Sequence, residues 1–175
     1  EKLREARAKG DMSLLAKMWV YLGLYEARYN IFDFRVSRHR DGPEEFFCNS
    51  RCKVQGDCFS GNRSVVLHSA GRLEFVACWG HARRKVVESS TYAQEAEQLL
   101  GMIQALYDIE VRAQAYSIEQ REQLRRRESA PILDSIFKWL ASPVVAEVLP
   151  KSDFGEALRY IRNHWSALNV YISDG

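Results

Sequence analysis

Up to residue 88 short β-prone runs alternate with short helical ones, and from residue 89 to the end no strand pattern returns. Met18 to Gly23 carries the β-formers Trp19, Val20 and Tyr21. Tyr29 to Arg38 alternates, with Phe32, Phe34 and Val36 on one side and Asp33, Arg35 and Ser37 on the other, so the two runs predict an antiparallel hairpin. Asp41-Gly-Pro-Glu-Glu45 has the form of a helix start, with Asp41 as N-cap, an early Pro and Glu44 three positions on, and predicts a short helix to about Asn49. Lys53 to Cys58 then predicts a strand whose end presents Asp57, Ser60-Gly61-Asn62 a turn, and Arg63 to His68 a helix. Leu73 to Trp79 predicts a central strand and His81 to Glu88 a further helix.

The remainder is helical. Thr91-Tyr-Ala-Gln94 and Ser117-Ile-Glu-Gln120 both have the capping-box pattern. The first opens a long helix striped by Ala96, Leu99, Leu100, Ile103, Leu106 and Tyr107, and the second a charged helix to about Glu128. Pro131 begins another, with Ile132, Ile136, Trp139 and Leu140, and Ser142-Pro143 a short turn of helix. Asp153 begins the last, with Phe154, Leu158, Ile161, Trp165 and Leu168 on one side. No Gly/Ser linker separates the halves, so the expectation is one α/β core with a mixed sheet that bears an all-helical insertion.

Composition excludes several classes. A 46% hydrophobic, 27% charged chain has the material for a packed core. Its apolar runs fall far short of the roughly 20 residues that span a bilayer, so a soluble, cytoplasmic protein without membrane contact is expected. Both ends read as cuts: the chain starts at Glu1 and stops in the turn-like Ile172-Ser-Asp-Gly175. Residues 1–88 hold 16 Lys and Arg against 11 Asp and Glu, residues 89–175 hold 9 against 12, so nucleic-acid contact belongs first to the N-terminal half. The cysteines Cys48, Cys52, Cys58 and Cys78 form no C-x-x-C pair and no zinc spacing with the histidines, which favours free thiols.

Two places could carry chemistry. Asp57 lies at a strand end within Val54-Gln-Gly-Asp-Cys-Phe-Ser-Gly61, where flanking glycines let a ligand approach; the same acid could equally cap the following turn. His81, Arg84 and Lys85, with Arg83 beside them, start the helix after a central strand, where an imidazole and cations could bind phosphates, or equally form a solvated basic turn. Arg125-Arg126-Arg127 reads as a solvated face, because Glu119, Glu122 and Glu128 are within helical ion-pair spacing. No Walker loop, G-x-S-x-G elbow or H-E-x-x-H helix is present.

The run Val76-Ala-Cys-Trp-Gly-His-Ala-Arg-Arg-Lys85 resembles the hallmark of insertion sequence 66 transposases, with Gly80 replacing an alanine. Trp19 to Gly23, Tyr29 to Phe34, Arg40 to Pro43, Gln55 to Gly61, Leu106 to Glu110, Leu149 to Ser152 and Ala157 to Trp165 resemble further family segments in the same order, over roughly residues 16–175. The resemblance implies a DDE transposase with an RNase H-like core, in which three acids hold two Mg²⁺ or Mn²⁺ ions for cutting DNA and joining it to a target. It makes Asp57 the second, metal-binding acid and places His81, Arg83, Arg84 and Lys85 near the DNA. It divides the chain into a charged segment at 1–15, a partial RNase H-like core lacking its first strand at 16–88, and a helical insertion with return segment at 89–175. The family's first acid, in an Asp-Glu-Thr context, and its third, in an Asn-Ala-Ala-Glu-Arg context, have no counterpart in the sequence, so the chain reads as a catalytically incomplete fragment. DNA is the implied partner, with self-association or association with an intact transposase. The other reading is an inactive DNA-binding or oligomerising remnant that modulates the intact enzyme.

Overall fold

The computed structural model describes Arg4 and residues 16–23, 29–36 and 39–174. The charged segment at 1–15, apart from Arg4, lies outside the described residues. So do the connection Leu24 to Arg28, the strand-end positions Ser37 and Arg38, and Gly175. The chain is mixed α/β and divides into two units, residues 1–52 with 59–73 and residues 53–58 with 74–175.

In the first unit, β1 (Lys17–Gly23) and β2 (Tyr29–Arg35) form the expected antiparallel hairpin, in register from Lys17 opposite Arg35 to Gly23 opposite Tyr29. The alternation holds, but the covered side is the polar one of β2. Tyr21 stacks at 3.8 Å on Phe46 of α1 (Asp41–Phe46), with Phe47 edge-on, while Arg35 pairs with Asp33 at 2.8 Å and Glu45 at 2.9 Å. Phe32 and Phe34, opposite Val20 and Met18, stay 66% and 57% exposed. Gly42 is buried where an added Cβ would come within 3.1 Å of the Arg35 guanidinium, so a side chain there would make Arg35 shift by a few tenths of an ångström.

Asp41 is not the N-cap: Arg40 takes that place without a side-chain bond, and the Asp41 carboxylate instead meets His39 at 2.6 Å. α2 (Ser60–Leu67) absorbs the expected Ser60-Gly61-Asn62 turn as its first turn. The bend that follows has Ala70 and Gly71 at positive φ; there buried Ser69 accepts from the Leu73 N–H, and Arg72 donates to the Phe47 and Ser50 carbonyls.

The strands β3 (Cys52–Gly56) and β4 (Leu73–Ala77) pair with each other. The described strands therefore form two two-stranded sheets, not the single mixed sheet expected. A ladder grows only where a neighbouring strand offers its edge, and among the described residues none lies beside the outer edges of β1 and β2. β4 stops at Ala77, because Cys78 turns extended backbone into α3 (Trp79–Val87) and Trp79 becomes the first helical residue.

The second unit is built on α3, α4 (Ala93–Ala113), α5 (Ile118–Leu124), α6 (Ala130–Leu140), α7 (Pro143–Ala146), α8 (Asp153–Asn163) and α9 (Trp165–Asn169). Trp79, Ala82 and Val86 of α3 recur at helical spacing and pack into one core with Leu99, Ile103, Ile136, Phe154, Leu158, Ile161 and Leu168; only the latter seven lie on stripes expected from the sequence. Ser117 makes the full capping box with Gln120. Thr91 does not cap. Tyr92 takes the N-cap position in left-handed backbone and its hydroxyl accepts from the Leu149 N–H at 3.0 Å.

Between α5 and α6 the helix widens into a π-turn, Arg125–Ser129. Pro131 lies two residues on; it has no N–H for the Arg127 carbonyl and its ring would strike that group, so the ladder is re-spaced there. The turn carries Arg125 inward, which corrects the reading of all three arginines as a solvated face. Arg125, with a side chain 12% exposed, forks onto Glu110 and donates to the Tyr171 and Asp174 carbonyls, whereas Arg126 and Arg127 stay outside, paired with Glu122 and Glu128.

Candidate functional site

Asp57 follows β3 immediately and is half-buried, one residue before Cys58. The strand stops at Gly56, so Asp57 sits in the corner after the ladder and not within it. Across this corner comes Tyr160 of α8, close enough for Cys58 and the charge of Asp57 to act on its phenol, and both Tyr160 and Cys58 pack against the helical core. Burial pushes the Tyr160 phenol well up, the Cys58 side chain adds to this, and the negative charge of Asp57 acts in the same direction. The acid and the phenol therefore share one electrostatic environment.

The basic cluster approaches the same tyrosine. Lys85 Nζ stands 5.2 Å from the centre of the Tyr160 ring, within cation–π range. Trp79, Ala82 and Val86 take the inner face of α3, which leaves Arg83, Arg84 and Lys85 exposed. Among the described residues none of these three has a carboxylate within ion-pair distance, unlike Arg35, Arg40, Arg112, Arg125, Arg126, Arg127 and Arg159. Arg84 and Lys85 do not start the helix. α3 has nine residues, so they fall in its last turn, where cations complement the negative end of the helix dipole. His81 is in the first turn, and its Nδ1 is enclosed without a hydrogen-bond partner among the described residues.

Tyr160 is the residue that sequence reasoning missed as part of the site. The signal was present: it adjoins Ile161 at the edge of the α8 stripe, where an aromatic ring with a polar tip can lie half-buried. Chain periodicity indicated that edge but not the Asp57 corner it faces.

None of the four cysteines forms a disulfide among the described residues, and Cys78 is half-buried at the turn into α3. Among the described residues no three His, Cys, Asp or Glu side chains cluster as metal ligands. None of the described helices is long and apolar enough to cross a membrane.

Residues 5–175 match the family model described as Transposase IS66 family. The chain is 26% identical over 148 residues to uncharacterized protein y4jD of Sinorhizobium fredii, covering 81% of the chain and 29% of that protein. It is 23% identical over 154 residues to uncharacterized protein y4hP of the same organism, covering 79% and 28%. The chain thus spans less than a third of the length of these curated relatives. No solved structure matches it.

Proposed function

Because this chain belongs to the insertion sequence 66 family of transposases, we propose that it is part of an enzyme that cuts DNA and joins the freed end to a target. Asp57 is the second acid of a DDE triad in an RNase H-like core, with residues 16–88 belonging to that core and 89–175 forming the helical insertion and return segment. His81, Arg83, Arg84 and Lys85 contact DNA phosphates, at element ends or target, in the cytoplasm. One observation carries the reading: a half-buried strand-end acid and a helix whose three exposed cations have no carboxylate partner among the described residues both approach Tyr160, the helix through Lys85. Unpaired cations retain their full attraction for phosphate, since no internal carboxylate has to be displaced first.

The family's chemistry uses Mg²⁺ or Mn²⁺, and such hard cations need several oxygen ligands. The described residues do not fit a resident ion, because Asp57 is not joined by two further ligating side chains. The chain alone is therefore expected to lack strand-transfer activity. The test is Asp57→Asn in a protein of the relatives' length that contains this segment. DNA cleavage should disappear while DNA binding persists; a variant that still cleaves removes Asp57 from the catalytic set.

A second reading has its own support. Met18, Val20, Leu22, Phe32 and Phe34 form an exposed apolar face on the hairpin, of the kind that marks association surfaces. A DNA-binding or self-associating piece that modulates an intact transposase would use that face. Salt-dependent DNA binding by the chain without metal-dependent cleavage, together with a concentration-dependent mass in light scattering, would favour it.

A further inference from the structure

The Lys85 side chain has a long flexible stem, and such an ammonium ordinarily samples many rotamers. Here it stands 5.2 Å from the Tyr160 ring centre, with no carboxylate partner among the described residues. The ring is itself held. His164 packs edge-on at 4.7 Å, and α8 is anchored by Phe154, Leu158 and Ile161, each no more than 1% exposed. The hydroxyl end of the ring lies near Cys58, the neighbour of Asp57.

We propose that Tyr160 is a positioning residue of the DNA-contacting site: its ring face orients the Lys85 ammonium toward a phosphate, so that the packing of α8 sets where the last turn of α3 presents its charge. The inference rests on the reading of α3 as a DNA-contacting helix. Tyr160 touches no DNA in this arrangement. A π-face suits the task better than a carboxylate, because it attracts the ammonium without neutralising it and leaves its charge for a phosphate.

The test measures binding of the full 175-residue chain to a fluorescent DNA duplex as a function of NaCl, for the original chain, Lys85→Ala, Tyr160→Phe, Tyr160→Leu and the Lys85→Ala/Tyr160→Leu double variant. Removing Lys85 should lower the slope of log K against log salt by about 0.9, the value of one phosphate contact. Tyr160→Leu should weaken binding about two- to fivefold, the equivalent of an exposed cation–π contact, with little further loss in the double variant. Tyr160→Phe keeps the ring and should keep the affinity and slope. In parallel, the Lys85 ε-methylene protons of the original chain should be displaced upfield by the ring current in NMR, a readout that requires no variant to fold.

Unshifted Lys85 protons overturn the positioning role. So does Tyr160→Leu binding like the original chain, or losses that simply multiply in the double variant. If instead the original chain does not bind, or Lys85→Ala binds as it does, α3 is not a DNA interface and both readings fall together.

Discussion

The Trp79 indole N–H donates to the Leu168 carbonyl at 2.9 Å inside the core, bonding the first residue of α3 to α9 across 89 positions of sequence. The same indole meets the Trp165 ring edge-on at 6.2 Å. The bond fixes the start of the helix that carries His81, Arg83, Arg84 and Lys85.

Trp79→Phe keeps an aromatic ring and removes the donor, leaving a buried carbonyl unpaired. Such a loss costs about 1–3 kcal/mol. Urea unfolding followed by tryptophan fluorescence and circular dichroism should show a lower midpoint at unchanged slope.

Gly155 lies against the turn before α8. A Cβ there would come within 2.2 Å of the Leu149 carbonyl oxygen, and the obstacle is backbone, which cannot swing aside. Gly155→Ala should destabilise by about 1–3 kcal/mol, the usual range for overpacking. Ser152→Ala removes the Oγ that accepts from the Gly155 N–H at 3.0 Å and should cost about 1 kcal/mol. Thermal denaturation of both variants checks the order of the two effects.

Arg125 ties the chain's last turn to α4. It pairs with Glu110 at 2.6 Å and donates to two carbonyls of the 170–174 segment, while Lys53 reaches the Ser173 carbonyl at 2.9 Å. Arg125→Ala should cost about 2 kcal/mol by leaving these acceptors unmet. Arg125→Lys should recover less than half, because an ammonium lacks the planar fork. Hydrogen exchange should show faster exchange at Val170 to Asp174 in both.

Burial, first of all causes, pushes the Tyr21 and Tyr171 phenols from their ordinary 10.0 up to about 12, with nearby Asp33 and Glu110 respectively adding to it. The folded state thus keeps protons that the unfolded chain releases. The stability tied to these phenols is whole below pH 10 and is lost as pH rises from 10 to 12. Urea midpoints across that window should fall, and Tyr171→Phe should flatten the fall. A midpoint that holds steady to pH 12 would count against the burial of both rings.

Much of the secondary structure was legible because its signals are local. The alternation of Tyr29 to Arg35, the Ser117–Gln120 capping box and the stripe from Ala96 to Leu106 each depend on residues within a few positions of one another, and each appears where the period places it. The family motif at Trp79 to Lys85 is equally contiguous, and residues 5–175 belong to that family.

The tertiary structure decided what local signals leave degenerate. Either face of the hairpin satisfies the β period; the aromatic pair Phe46 and Phe47 selected the side of Tyr21 and left Phe32 and Phe34 outside. The sequence marks Thr91 as the cap, yet Tyr92 takes the N-cap position, where its hydroxyl accepts from Leu149, 57 positions away. Three adjacent arginines look alike in sequence, yet a π-turn before Pro131 buries only Arg125. Tyr160 reaches Cys58 and Lys85 only once α8 has packed on the core. Backbone period and capping are short-range hydrogen-bond and steric effects that a few residues determine, whereas the choice of packing partner is a competition among distant surfaces, resolved only when the chain closes on itself.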